Sequence, residues 1–442
     1  MKILIPLFTL FISTLISAQN YDWKKDESVF PTYGSQIIEM PNGDLTVFGT
    51  DSLNLGDGLQ AHMYFSFRDA NGDSILSKSV IPSTGGLIQA YHGECFNTTA
   101  DGGFILGGVE TTNNGHWNAC VVKTDAQANI QWYNVFWGNT GIVKGIEQTF
   151  DGGFAMITEA NTIYRLDAAG DSVWAMSMGN GGGADLVIDD NDNIVVCGNI
   201  SGFAGTNTYA ASFTDGGNNN WWYSDTYPGY GLDLDKSGTG DWAIAASSYG
   251  ACRLIKLDGS GTELWTQNFA LNINGTQSEA LKSVKWNSSG GLYGVAIAVY
   301  SFYGTNACFV NFDQNGDTTS IDRGNNYPLN DWWKNGLTLT SDGGVAYTSA
   351  ENSNLTVVKY YGQTTGIKEE AERLSVYPNP TINSVTINAL SFGDKVELYD
   401  LNGRLVKTLI ATGANVDLSD LTTGIYQVII PEKKAFARIV KL

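Results

Sequence analysis

FDGGFAMITEANTIYRLDAAGDSVW, residues 150–174, decides the fold. It opens on an Asp-Gly-Gly turn and runs into an apolar strand. A second strand, a second turn and a third strand ending in Trp174 follow. Asp-Gly and Asn-Gly pairs supply the positive φ that hairpin turns need. The first half recurs as PNGDLTVFG (41–49), ADGGFILGG (100–108), DNDNIVVCG (190–198), SGTGDWAIA (237–245), SSGGLYGVA (288–296) and SDGGVAYTS (341–349). The second half recurs as FSFRDANGDSIL (65–76), VVKTDAQANIQW (121–132), ASFTDGGNNNWW (211–222), LIKLDGSGTELW (254–265) and FVNFDQNGDTTS (309–320). Asp69, Asp125, Asp167, Asp215, Asp258 and Asp313 mark the equivalent place in each unit, 42 to 56 residues apart.

A period of that length with about four strands per unit reads as a propeller blade. Seven turn motifs predict a seven-bladed β-propeller. Its last blade is one strand short: Leu337–Thr340, Val345–Ser349 and Leu355–Tyr361 run straight into GQTTGIKEEAE (362–372). An orphan strand lies at the other end, where Trp23 fits the place of Trp132, Trp174, Trp222 and Trp265. Tyr21–Phe30 is therefore expected to be the outer strand of the last blade, closing the ring and removing two exposed sheet edges. The repeated Trp residues are expected to staple each blade to a neighbour, since one indole buries roughly 150–250 Å². Leu76 and Ser320 stand in their place in blades one and six, so those joints should be weaker.

Composition agrees with strands. Charged residues make up only 16% of the 442, and 52 are glycine, where a quarter charged is usual. No stretch shows a sustained 3.6-residue apolar period. Lys2, the apolar run Ile3–Ile16 and Ser17-Ala18 read as a signal peptide (1–18) cut between Ala18 and Gln19. No later segment is long and apolar enough to span a membrane. Residues 19–361 hold 15 Lys/Arg against 36 Asp/Glu, whereas 362–442 hold nine of each. So acidic a body repels nucleic acid and anionic membranes. The five cysteines, Cys95, Cys120, Cys197, Cys252 and Cys308, form no CxxC pair and read as buried apolar residues.

From 373 to 442 the pattern changes to short alternating strands with an Asn402-Gly403 hairpin, which predicts a small Ig-like β-sandwich. VYPNPT (376–381), VELYDLNGRLVKT (396–408) and LTTGIYQVII (421–430), in that order before a basic end, resemble the C-terminal sorting domain of type IX secretion cargo. The resemblance implies that Pro378, Asn379 and Pro380 form the opening turn. It makes Gly403 the hairpin glycine, and Gly424 and Tyr426 the start of the late strand. It also implies handling by the type IX machinery after passage through the periplasm, then release or attachment to the outer cell surface. The repeats resemble the uncharacterised propellers of such cargo, with DGGF and KxDxxGxxxW signatures. That pattern is also similar to the tryptophan docking motif of quinoprotein dehydrogenases, but the vicinal cysteine pair of those enzymes is absent.

No HExxH, GxSxG or GxxxxGK motif occurs. GNGGGA (179–184) leads into a strand rather than a helix, so it is no dinucleotide loop. Three patterns remain. Glu94, Asp185, Asp233 and Asp331, with Glu147, fall in or near inner strands, where carboxylates either line the channel as solvated residues or form a ring able to hold a cation or sugar hydroxyls. DANGD (69–73), DDNDN (189–193) and DQNGD (313–317) offer closely spaced oxygens, as Ca²⁺ sites do, but lack the completing Glu, and hairpin turns account for them. His62, His92 and His116 fall in the first two blades, near Glu94 and Cys95, yet no metal site is expected. The aromatic richness, with Trp117, Trp137, Trp221, Trp332 and Trp333 read as exposed, favours a non-enzymatic module that binds a glycan or protein, as in adhesion. The alternative is a carbohydrate-active hydrolase or lyase, which needs two carboxylates in one cleft.

Overall fold

The structure is a computed structural model. It describes residues 22–441 apart from 28–32, 55–58, 83–86, 90–94, 112–114, 139, 203–204, 274–275, 301–303, 323–335, 352–353, 361–371, 374–375, 380, 389, 401–403, 431–432 and 434. The expected signal segment with Ala18 and Gln19, most of the expected linker, Glu94, Asp331, His92, Trp332, Trp333, Pro380 and Gly403 lie outside the described residues. The chain is all-β and divides into two compact units, Met1–Gln363 and Thr364–Leu442.

Seven antiparallel sheets make up the described part of the first unit. Sheet 1 holds Tyr33–Glu39, Leu45–Asn54, Leu59–Arg68 and Ser74–Val80, in that order. Sheet 2 has a split inner strand (Leu87–Gln89 and Phe96–Thr98), then Phe104–Thr111, Trp117–Thr124 and Ile130–Phe136. Sheet 3 holds Val143–Gln148, Phe154–Thr158, Thr162–Leu166 and Ser172–Ser177. Sheet 4 holds Gly181–Ile188, Ile194–Gly202, Gly205–Phe213 and Asn219–Pro228. Sheet 5 holds Tyr230–Lys236, Trp242–Ser248, Ala251–Leu257 and Glu263–Phe269. Sheet 6 holds Thr276–Trp286, Leu292–Tyr300, Gly304–Phe312 and Thr318–Asp322. Sheet 7 combines Leu337–Leu339, Val345–Glu351 and Asn354–Tyr360 with a fourth strand from the other end of the chain, Trp23–Glu27. That strand pairs antiparallel with Asn354–Tyr360, Trp23 opposite Lys359 and Glu27 opposite Leu355.

The core is a series of apolar layers, each shared by successive sheets. Ile157 and Ile163 of sheet 3 pack with Val196 and Tyr209 of sheet 4. Ile37, Leu45 and Val47 of sheet 1 pack with Ala346, Leu355 and Val357 of sheet 7. Indole rings cover the rim of these layers. Each lies over the glycine of the outer turn in the next sheet: Trp132 over Gly170, Trp174 over Gly217, Trp265 over Gly316, and Trp23 of sheet 7 over Gly72 of sheet 1. A Cβ at Gly72 or Gly170 would stand 2.5 Å from the indole, and both residues have positive φ (79° and 81°). Only glycine meets both demands.

Sheet 4 departs from the expected register. The ring over Gly261 belongs to Trp221, not Trp222. Trp222 stacks on Tyr209 of its own sheet, with centroids 5.1 Å apart. The turn in this sheet closes between Thr214 and Asn218 (2.8 Å), one residue earlier than Asp215 implies. In the other turns the marker aspartate caps the loop: Asp69 Oδ1 accepts the N–H groups of Asn71 and Asp73, each at 2.9 Å. Thr214 Oγ1 does this for Asn218 (3.1 Å), which releases Asp215 to pair with Arg165 of sheet 3.

The second unit has a five-stranded sheet, ordered Glu372–Arg373, Ala435–Lys441, Gly424–Ile430, Lys395–Asp400, Leu405–Ile410. A three-stranded sheet holds Val376–Tyr377, Ser384–Ile387 and Asn415–Asp417. Val385, Ile387 and Val416 of the smaller sheet share one core with Val396, Leu398, Val428 and Ile439 of the larger. No helix among the described residues is long and apolar enough to cross a membrane.

Candidate functional site

The inner strands of sheets 3 to 6 carry acids, and the structure gives these a structural task. Each strand has a β-bulge, which places Asp185 and Asp233 just after the irregularity. Both are fully buried instead of lining an open channel. Asp185 Oδ2 accepts the Leu234 N–H (2.9 Å), and Asp233 Oδ2 accepts Val284 N–H (2.7 Å) and Ser283 Oγ–H (2.9 Å). Each carboxylate thus binds the inner strand of the following sheet. A buried carboxylate fixed by backbone donors clasps two elements together.

Two residues further along, Glu147 accepts Ile188 N–H (2.5 Å) and Asp235 accepts Trp286 N–H (2.8 Å). These two are less deeply buried. Burial pushes the Glu147 carboxyl up to about 7, against the opposing pull of the Ile188 N–H and the Lys285 ammonium. Asp235 is also raised by burial, and Lys285 Nζ lies 3.3 Å from its Oδ1. Glu147, Asp235 and Lys285 therefore form one interacting group drawn from sheets 3, 5 and 6.

The other expected sites resolve locally. Asp189 and Asp313 cap their own turns, as Asp69 does, by accepting the N–H groups two and four residues on. His62 is buried opposite Asp51, whose carboxyl is raised by burial and accepts the Ser79 hydroxyl; His116 is exposed. Among the described residues no three His, Cys, Asp or Glu side chains could hold a metal ion together. All five cysteines are buried, and none is in a disulfide.

Exposed aromatics gather where sheet 4 passes to sheet 5. Tyr227, Tyr230 and Tyr249 are 60, 51 and 83% exposed. Ser248 Oγ donates to Pro228 O (2.6 Å), tying the turn that carries Tyr249 to the segment that carries Tyr227 and Tyr230. Underneath, Arg253 and Asp225 form a buried two-pronged pair (2.7 and 2.9 Å). Asp225 also accepts the Tyr227 N–H (3.0 Å), and the guanidinium lies 5.3 Å from the Tyr227 ring centre. The tyrosine is thus held from its backbone and under its ring. Of the tryptophans read as exposed, Trp137 and Trp117 are so; Trp221 is a staple. Tyr227, Tyr230 and Tyr249 are not among the aromatics expected from the sequence to be exposed, all of which are tryptophans. Pro228-Gly229 and Tyr249-Gly250, each a turn signal beside an aromatic, were the available pointers.

In the second unit Asn379 Oδ1 accepts Val440 N–H (2.8 Å) and Thr381 N–H donates to Val440 O (2.8 Å). The PNPT segment is therefore stitched to the last strand of the chain. Pro378 is exposed and follows a cis peptide bond, Gly424 begins its strand, and the Tyr426 hydroxyl donates to Thr422 O (2.8 Å).

The family described as the secretion system C-terminal sorting domain matches residues 375–441. Solved structures similar to the chain include WD40 propellers. U3-55K shares 9% identity, with 76% of this chain and 98% of that one covered at a TM-score of 0.54. The WD40 repeats of RRP9 share 9%, with 76% and 97% covered at 0.53. The WD40 β-propeller domain of Doa1 shares 11%, with 77% and 96% covered at 0.52. At such identities the likeness shows the fold alone: a β-propeller. No curated protein matches the chain.

Proposed function

We propose that the chain is an exported binding protein whose seven sheets are the blades of one ring, closed by Trp23–Glu27, and whose ligand is a glycan or a protein. The sorting domain at 375–441 marks it as type IX secretion cargo. Residues 1–18 would carry it to the periplasm and be cut after Ala18. The sorting unit would then direct it to the outer surface, for release or attachment. Closure is supported by the Trp23 register on Lys359, by the Trp23–Gly72 contact and by the shared core of sheets 7 and 1.

The observation that carries the binding reading is the tyrosine group at 227, 230 and 249. Exposed aromatic rings on a rigid support stack on sugar faces or anchor protein partners with little entropy to lose. An adhesive role follows from such a surface on an exported protein. Screening the mature protein on glycan and protein arrays tests this. Saturable binding that Tyr227→Ala, Tyr230→Ala and Tyr249→Ala each weaken is the expected result. Turnover of a polysaccharide without retained binding would replace this reading with a hydrolase or lyase.

A further inference from the structure

Leu76 stands where the stapling tryptophans stand, and Ala128 (φ 57°) stands where their glycines stand. The joint between sheets 1 and 2 thus lacks both the indole and its seat. A cavity of about 420 Å³ lies there, between Phe67, Ile75 and Leu76 of sheet 1 and Gln127 of the sheet 2 turn, with Phe104 in its wall. The Phe67 and Phe104 rings are 6.0 Å apart, and Ile75 and Leu76 are exposed. Lys78 bridges the same joint, donating to Gln127 O (3.1 Å) and Asn129 Oδ1 (2.6 Å).

We propose that this cavity binds a planar aromatic ring of indole size that carries no negative charge. Its volume falls in the range of small-molecule sites, roughly 300–1,000 Å³. Its walls are aliphatic and aromatic, the surroundings in which ring edges and faces pack well. The molecule itself shows what fits such a joint, because five other joints are each filled by an indole. Charge narrows the ligand further. Asp44 lies at the cavity, its carboxylate accepting from the Asn42 amide (2.6 Å), in a body with 36 acids against 15 bases. The Lys78 ammonium at the same joint is taken up by Gln127 O and Asn129 Oδ1, so the net acidic field favours a neutral or cationic ring over an anionic one.

The test titrates the mature protein with indole, tryptamine and indole-3-acetate, reading ligand-observed NMR and the thermal midpoint. Indole and tryptamine should bind saturably and raise the midpoint. Indole-3-acetate should bind about tenfold more weakly or worse, and Asp44→Asn should narrow the gap. Leu76→Trp with Ala128→Gly rebuilds the staple and should abolish binding. Should that pair fail to fold, Ile75→Asp at an exposed position should weaken indole binding by a comparable factor. No saturable indole binding by the wild type overturns the proposal. So does unchanged affinity in the rebuilt joint or in Ile75→Asp. The three tyrosine variants should leave indole binding intact, so the two readings fail separately.

Discussion

Glu147 holds its proton more tightly in the folded chain than in the unfolded one, because burial raises its carboxyl from 4.5 to about 7. The sign follows from proton counting. Between those values the folded state binds more protons, so stability falls as pH rises from about 4.5 to 7 and stays lower above. The cost at alkaline pH is bounded at about 3 kcal/mol. Glu147→Gln keeps an acceptor for Ile188 N–H but cannot ionise. It should therefore raise urea stability at pH 8 and lose that advantage at pH 5; equal gains at both would refute the titration. The turn aspartates run the other way. Asp101 is lowered to about 2 by the Lys123 ammonium and by hydrogen bonds from Thr99 and Gly103. Its share of stability is present above the unfolded value and is lost as pH falls towards 2. The turn glycines separate two backbone effects. Gly170 and Gly152 both have positive φ (81° and 88°), but a Cβ meets Trp132 only at Gly170. Gly152→Ala should cost about 1–2 kcal/mol from backbone strain alone. Gly170→Ala should cost clearly more, because the indole must move as well. Chemical denaturation of the two variants side by side decides it.

The strand Trp23–Glu27 is the element on which most rests. Without it, Asn354–Tyr360 becomes an open edge, and the ring of turn-covering indoles loses a member. Deleting residues 19–30 should lower stability and produce concentration-dependent oligomers through the bare edge, seen by size exclusion. Trp23→Ala removes a partly buried indole and should cost about 2–3 kcal/mol, below the range for core tryptophans. Trp222→Ala, at a ring 43% exposed, should cost much less. The repeat unit, its turns and the need for an outside strand were legible because each turn demands particular residues. The slip in sheet 4 was legible too, had glycine been weighed over aspartate: Thr214-x-x-Gly217 restores the spacing that Asp69-x-x-Gly72 sets. The fate of Asp185 and Asp233 was not. Whether an inner-strand acid meets water or a backbone donor depends on a bulge and on the adjacent sheet, and neither is written in the strand itself. The missing indole at Leu76 announces a weak seam, but the open cleft there depends on how two sheets meet, which no single strand specifies.

At the scale of the whole chain, the acidic propeller and the charge-balanced sorting unit are separate compact units. Each has its own core, and the residues that stitch PNPT to the last strand lie within 375–441. A sorting unit that must be folded to be read should fail when its stitching fails. Asn379→Ala removes the acceptor for Val440 N–H at an exposed site that water can reach, at a cost of about 0.5–1.5 kcal/mol. A unit of some seventy residues has little stability to spare. Calorimetry should show this substitution lowering one transition while the propeller transition stays in place. In cells, the same substitution should trap folded protein behind the outer membrane, as should deletion of 375–441, while a signal-segment deletion should hold it in the cytoplasm. Normal export of the deletion would mean that the propeller carries its own address. In that case the motif's tie to the last strand would serve stability alone.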